Sequence, residues 1–445
     1  MEIYSVGGYS EVGKNMTVIK TGDDAFIFDA GFFIPALVEL QEEEVWEYSE
    51  KRLRAKGGLP NDLILDKLGI RNKVRAIFLG HGHLDHIGAI PYLSYRYNAP
   101  IIGTPYTIEI LKRTLEKDNL RIPNKIQSVR LNASVSIKGK NKTYKVEFIN
   151  MTHSIPHSTM IALHTPEGIV VYGNDFKLDN TPVMGQPPNY SALKRIGKEG
   201  VKVAIIDSLY CGSKGKTPSE RVARDMLREV LLTVQNDNAG IFVTTFSSHM
   251  SRLKSIVDFA KKLDRKIIFL GRSLNNYVSA ASKIGLAPFR KDIEIKIYSK
   301  QVHSFLRKIN NDRSNYVVVC TGHQGEPGSI LERISRKQFP FEFKKKDNLI
   351  FSSKTIPAPV NIKNREIMGK RLEKSGVRIF DNVHVSGHGG KEDLRDLIGL
   401  INSEHIIPSH GPAEKTKSME ALAGEEGYNI KKQVHIMANG QRLKL

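Results

Sequence analysis

Residues 74–86 read VRAIFLGHGHLDH. Val74–Leu79 is an apolar run ended by Gly80, and it predicts a buried strand followed by a turn. The turn His81-Gly82-His83-Leu84-Asp85-His86 carries four ligand-type side chains in six residues, and a helical stretch opens at Ile87. On a turn leaving a strand, four such groups can face one side and hold two cations. His81 and His83 are read as ligands of one, Asp85 and His86 of the other. Imidazole with carboxylate suits two Zn²⁺ per chain, with Mn²⁺ or Mg²⁺ also accommodated.

Two metals need further ligands, and the chain offers them in the same local setting. His153 follows the strand KVEFINMT, Asp175 follows GIVVYGN, and His410 follows HIIPS. All three leave predicted strands, so one sheet edge can collect them, and the two oxygens of Asp175 suit a bridge between cations. Asp29 ends the strand FIFD before Ala30-Gly31. It reads either as a group that holds a ligand histidine in its tautomer or the metal-bound water in place, or as a turn cap. A paired site of this kind activates water at neutral pH and steadies charge on a phosphate, which gives the expectation of a hydrolase of phosphate esters. Expulsion of the leaving alkoxide still requires a proton donor.

The first 208 residues alternate short β-branched runs with Gly-rich turns. Strands are predicted at Ala25–Asp29, Lys145–Ile149, Ile169–Tyr172 and Val203–Ile206, and residues 38–56, with Trp46 and Leu53, read as a surface helix. From 209 the rhythm becomes β–α alternation, which predicts a parallel-type sheet flanked by helices. Thr217-Pro218-Ser219-Glu220 reads as a capping box opening a helix to about Val234, and strands follow at Gly240–Thr245, Lys266–Leu270, Tyr316–Cys320 and Asn348–Phe351. After about 380 the first texture returns.

Charge follows the same division. The net charge is +20, and residues 209–379 hold 33 Lys+Arg against 15 Asp+Glu, while all the others hold 34 against 32. So local an excess is the footprint of a polyanion binder. Lys344–Lys346 either joins that path or forms a solvated face. No apolar run approaches the ~20 residues of a membrane span. There is no secretory leader pattern, and Cys211 and Cys320 read as reduced, buried thiols, which gives a cytoplasmic expectation.

Several turns are candidates for touching phosphate. His384-Val385-Ser386-Gly387-His388 precedes a helix in a Gly-rich turn whose backbone N–H groups could cradle one. Thr321-Gly322-His323-Gln324-Gly325 is a second such turn, equally explicable by glycine sterics. Ser247, His249 and Arg252, and Ser352, Ser353 and Lys354, read as backbone contacts or as surface caps. His157, His164, His303, His405 and His435 have no company that suggests ligation.

Taken in order, Asp29, HGHLDH, His153, Asp175, Asp207, His388 and His410 resemble the motif set of the metallo-β-lactamase superfamily with a β-CASP insertion. The match spans nearly the whole chain. SVGGYSEVGKNMT, MTHSIPHS, GNDFKLD, TTFSSHMSRL, TGHQGEP, SSKTIPAP and HVSGHGG look like the ribonuclease J family, and Leu84 with the 38–70 segment looks like its archaeal type. The resemblance implies an α/β fold: an αββα metallo-β-lactamase sandwich built from 1–208 and 380–445, with a β-CASP α/β domain at 209–379. It implies that Asp207 is an acid near the metals, that His388 contacts the scissile phosphate or donates a proton, and that His410 is the last metal ligand, which RNA-processing members keep. It implies single-stranded RNA as partner, a 5′-monophosphate pocket at residues 384–388, and a homodimer. The activity expected is a 5′→3′ exoribonuclease releasing 5′-nucleotides. The competing readings are a site-specific endoribonuclease on the same scaffold, a non-catalytic RNA-binding scaffold, and a small-molecule hydrolase such as a thioesterase, which would leave the basic segment unexplained.

Overall fold

The structure, a computed structural model, describes residues 1–42, 48–236 and 238–445. The apolar, β-branched runs of the two outer segments form two sheets. The first has seven strands, in the spatial order Gln441–Lys444, Glu2–Gly7, Met16–Thr21, Asp24–Phe28, Val74–Leu79, Ile101–Gly103 and Ile126–Ser128. The second has six, in the order His405–Ser409, Val201–Asp207, Gly168–Gly173, Thr159–Thr165, Thr143–Asn150 and Ser134–Lys138. Alternate residues of facing strands make one core between the sheets. Phe26, Phe28 and Phe78 come from the first, and Phe148, Ile161, Val170, Tyr172 and Ile205 from the second. Helix Pro105–Lys117 covers the outer face of the first sheet. Helices Tyr190–Glu199, Lys391–Ile401 and Ala413–Glu425 cover that of the second. The result is a four-layer αββα sandwich.

The insertion happens between two neighbouring strands. Val201–Asp207 and His405–Ser409 pair in parallel, with Asp207 opposite Ser409. Between them the chain builds a third sheet, in the order Ile293–Lys296, Lys266–Leu270, Tyr316–Cys320, Ile241–Thr244, Asn348–Phe351 and Arg378–Phe380, with every pairing parallel. The central run YVVVC is buried throughout, as a strand covered on both faces must be. Helices Met250–Lys262 and Arg272–Lys283 cover one face, and Ser299–Ile309, Ile330–Ser335 and Pro359–Ser375 the other.

Sandwich and insert share an apolar seam. The Tyr106 hydroxyl donates to the Tyr277 carbonyl at 3.1 Å. Tyr106, Ile110 and Leu111 belong to the same buried cluster as Leu274, Tyr277 and Val278.

Two element predictions need correction. The helix expected over 38–56 is two helices, Ile34–Glu42 and Glu50–Ala55, the second capped by the Ser49 side chain. Trp46 lies outside the described residues, and Leu37, Leu40 and Leu53 are buried, so these helices contribute to the core. The helix expected from 217 begins at Glu220 with Ser219 as its cap, and its last turn, Glu229–Thr233, is π-helical. Thr217 bonds elsewhere: its N–H donates to Asp393 and its hydroxyl to the His388 carbonyl. Both cysteines are buried and unpaired, and no described helix is long and apolar enough to cross a membrane.

Candidate metal centre and substrate cleft

Asp29, Asp175 and His410 each end a strand, and each sits in the left-handed region, with φ of 60°, 55° and 59°. That conformation costs a side-chain-bearing residue roughly 1–2 kcal/mol, and it turns all three side chains back over one end of the sandwich. Close backbone approach there demands a glycine: a Cβ on Gly31 would stand 1.6 Å from the Asp85 carbonyl oxygen.

The side chains gather as two groups that share one carboxylate. Ligand-type atoms of His81, His83, His153 and Asp175 lie within 4.8 Å of one another, and so do those of Asp85, His86, Asp175 and His410. Asp175 Oδ2 is 3.5 Å from His81 Nε2, 3.7 Å from His153 Nε2 and 3.2 Å from His86 Nε2. His410 Nδ1 is 3.4 Å from Asp175 Oδ1, and its Nε2 is 3.9 Å from Asp85 Oδ2.

Partners behind the rings fix which nitrogen faces inward. His86 Nδ1–H donates to Asp29 Oδ2 at 2.7 Å, and Asp29 is itself held by the Tyr172 hydroxyl and the Gly80 N–H. His153 Nδ1–H donates to the Gly387 carbonyl at 2.7 Å, and His410 Nδ1–H donates to Asn15 Oδ1 at 3.0 Å. His83 Nε2 lies 3.1 Å from Ser248 Oγ. In these tautomers the lone pairs of His153 Nε2 and His83 Nδ1 face each other across 3.2 Å, and Asp175 Oδ1 is buried without a hydrogen-bond donor. Opposed acceptors in a buried site are the donor set that divalent cations satisfy, so the residues fit the group.

In the metal-free protein the electrostatics divide the histidines: burial opposes charge on His86, yet Asp175, Asp29 and Asp85 raise it well above the usual imidazole range. Burial and the neighbouring imidazoles push His83 and His153 well below the usual imidazole range, toward the neutral form that binds metal. Burial alone would raise the Asp175 carboxyl, but His410, His86 and His388 outweigh it and hold it well below the carboxylate range. His388 goes the other way. Burial opposes its charge, yet Asp207 and Asp175 raise it to about 9. Its Nδ1–H donates to Asp207 Oδ2 at 2.7 Å.

A cavity of about 400 Å³ opens above these groups, between metal domain and insert. Of the sequence candidates, Ser247, Thr321, Gln324, His384, Ser386, Gly387 and His388 line it, as do Lys354 and His249. Val385, Gly322 and Ser353 do not. Val385 and Ser353 are buried, and a Cβ on Gly322, whose φ is 113°, would meet Ser329 Oγ at 2.5 Å, so this glycine answers a steric need. Arg252 is neither a substrate contact nor a surface cap. It is fully buried, doubly bonded to Glu220 at 2.7 and 2.9 Å, and it donates to the Ser352 carbonyl at 2.8 Å. A second, shallower basic groove of about 830 Å³ carries Arg272, Arg333, Arg336, Lys363 and Arg371 around Glu332.

Sequence reading missed Asn15 and Ser248, whose polar side chains had no motif to mark them. It also missed that His164 bonds Glu147 at 2.7 Å and that His405 and His435 lie 3.0 Å apart.

Comparison with known proteins follows the same three-part division. Residues 9–178 match the model of the metallo-β-lactamase superfamily, residues 238–368 the ribonuclease J β-CASP domain, and residues 377–436 the Zn-dependent metallo-hydrolase RNA specificity domain. The chain is 44% identical to a ribonuclease J of Methanocaldococcus jannaschii, with 100% of this chain and 98% of that one covered. It is 39% identical to a ribonuclease J of Pyrococcus abyssi, covering 100% and 97%. With ribonuclease J 1 of Streptococcus pyogenes it shares 30%, covering 100% and 74%. A crystal structure of a protein of unknown function from Enterococcus faecalis shares the fold, with a TM-score of 0.66 at 16% identity, covering 100% and 99%.

Proposed function

From the premise that the chain belongs to the ribonuclease J family of metallo-hydrolases, we propose that it is a 5′→3′ exoribonuclease that removes 5′-nucleotides from single-stranded RNA bearing a 5′-monophosphate. In this reading 1–208 and 380–445 form the metal domain, and 209–379 the domain that closes over RNA. His81, His83 and His153 would hold one Zn²⁺ (or Mn²⁺ or Mg²⁺) and Asp85, His86 and His410 the other, with Asp175, which belongs to both groups, as a ligand shared between them. When bound, the pair supplies an activated water and positive charge beside the scissile phosphate. Asp29 holds His86 in its ligand tautomer. His388, kept protonated by Asp207, gives its proton to the leaving ribose oxygen. Ser386 and the backbone of 384–388 hold the terminal phosphate, while Ser247, Thr321 and Gln324 contact the chain from the insert. The enzyme works in the cytoplasm as a homodimer.

One observation carries the exonucleolytic reading. The turn 384–388 offers Ser386 to the cavity, and through the Gly387 carbonyl it also holds His153. The residue that would hold the end is next in the chain to the one that holds a histidine of the metal site, which supports cleavage at a fixed distance from a bound 5′ terminus. One RNA sequence prepared with a 5′-monophosphate, a 5′-triphosphate, a 5′-hydroxyl and as a circle tests this, with a His81→Ala control. The expected result is conversion of the monophosphate form to mononucleotides with circles intact. Nicked circles and discrete fragments would instead establish the endonucleolytic alternative.

A further inference from the structure

Four imidazoles of the candidate centre have their outward nitrogens held by a partner. Three partners belong to the metal domain: Asp29 behind His86, the Gly387 carbonyl behind His153, and Asn15 behind His410. The fourth comes from the insert. Ser248 stands in the turn between strand Ile241–Thr244 and helix Met250–Lys262, is 7% exposed, and brings its Oγ to 3.1 Å from His83 Nε2. His83 has its other nitrogen, Nδ1, turned to His81 and His153, at 3.0 and 3.2 Å. A histidine whose Nδ1 keeps a lone pair for a cation carries its proton on Nε2, where Ser248 Oγ accepts it.

The Ser248 turn is not free to drift. Its own carbonyl accepts the Met250 N–H. One helical turn on, Arg252 makes the buried double bond to Glu220, just past the segment that leaves the metal domain. The same guanidinium donates to the carbonyl of Ser352 at 2.8 Å and reaches that of Val383 at 3.3 Å, on the segment that returns. Glu220 is tied back to the metal domain through its N–H, which donates to Asp179 Oδ2 at 2.8 Å. Both crossings are thus tied to Arg252, on the helix that follows the Ser248 turn.

We propose that Ser248 is a positioning residue through which the inserted domain sets the geometry of the metal centre, by holding His83 in its ligand tautomer. The proposal rests on the metal-centre reading above. It makes the insert part of the metal site, so metal affinity and insert placement are coupled. Partners of this kind change metal affinity or activity by about 10–100-fold when removed.

The test compares wild type, Ser248→Ala and Ser248→Thr. Zn²⁺ affinity is measured by competition with a chromogenic chelator, with cleavage of a short 5′-monophosphorylated RNA alongside and thermal melting of the metal-free proteins as a fold control. The expected result is loss of about tenfold in affinity for one of two Zn²⁺ and a matching fall in kcat in Ser248→Ala. KM and the metal-free melting temperature should stay unchanged, and Ser248→Thr, which keeps the hydroxyl, should recover both losses. Unchanged Zn²⁺ affinity in Ser248→Ala, with or without a raised KM, would overturn the proposal, a raised KM marking Ser248 as an RNA contact. A wild type that takes up no Zn²⁺, Mn²⁺ or Mg²⁺ would overturn the metal-centre reading itself, which keeps the two failures apart.

Discussion

The Gly387 carbonyl accepts a hydrogen bond from His153 Nδ1 across 2.7 Å, joining residues 234 positions apart. Space around that carbonyl is closed: a Cβ on Gly387 would stand 2.9 Å from Ser154 Cβ and 3.0 Å from two atoms of the His153 ring. Gly387→Ala must therefore turn the imidazole or lift the loop. The expected outcome is at least about a tenfold loss of metal affinity, with cleavage falling in step. Metal content after dialysis against a weak chelator, set beside the cleavage rate, checks it.

Ser386 tests end recognition separately from chemistry. Its Oγ accepts the His388 N–H at 3.0 Å and faces the cavity. If its hydroxyl also binds the terminal phosphate, removing it costs about 1.5–3 kcal/mol, the value of a hydrogen bond to a charged group. Ser386→Ala should then lower the preference for 5′-monophosphate over 5′-hydroxyl RNA by roughly ten- to a hundredfold. Competition between the two RNAs in one tube measures the ratio directly, and an unchanged ratio would remove Ser386 from the pocket.

His388 and Asp207 give a pH signature that needs no substrate. In the folded, metal-free protein the imidazole is raised to about 9, from 6.5 when unperturbed. A raised folded-state value stabilises fully below 6.5 and fades as pH climbs through 9. Wild type should therefore exceed Asp207→Asn in melting temperature most below pH 6.5, with the gap closing by about pH 9. With RNA and metal present, His388→Gln should cost about 10²–10⁴ in kcat with little change in KM, as loss of a proton donor does.

The basic groove predicts a salt effect. Arg272 and Lys363 line it, and neither has an acidic partner among the described residues. Each phosphate contact on a single strand adds about 0.7 to the slope of log affinity against log salt. Arg272→Glu combined with Lys363→Glu should lower that slope by about 1.4 for long RNA. Turnover of a short oligonucleotide should stay as it was. Fluorescence anisotropy across a salt series reads both.

How much of this could be read from the chain depended on where each feature stores its information. HGHLDH stood out because four ligand-type side chains sit in six residues, and the gathering of His153, Asp175 and His410 beside it was legible because each leaves a β-branched run. What holds those ligands was not. A backbone carbonyl at Gly387 has no signature, and Asn15 and Ser248 lie 395 and 165 positions from the histidines they touch. Val385 and Ser353 were drawn in by neighbours of the right type. In extended chain alternate side chains face opposite ways, so Ser386 and His384 reach the cavity while Val385 packs inward. Arg252 reads as a surface cation by composition, and only the placement of Glu220, Ser352 and Val383 makes it the buried tie between both crossings.

The apolar seam between helices Pro105–Lys117 and Arg272–Lys283 has a thermodynamic consequence. Tyr106, Ile110 and Leu111 complete their burial against residues of the insert. Excising the insert would bare that surface on its host, at roughly 25 cal/mol per Å². Excision of the insert is therefore expected to lower the stability of the sandwich, and a seam this apolar couples the stability of each part to the presence of the other.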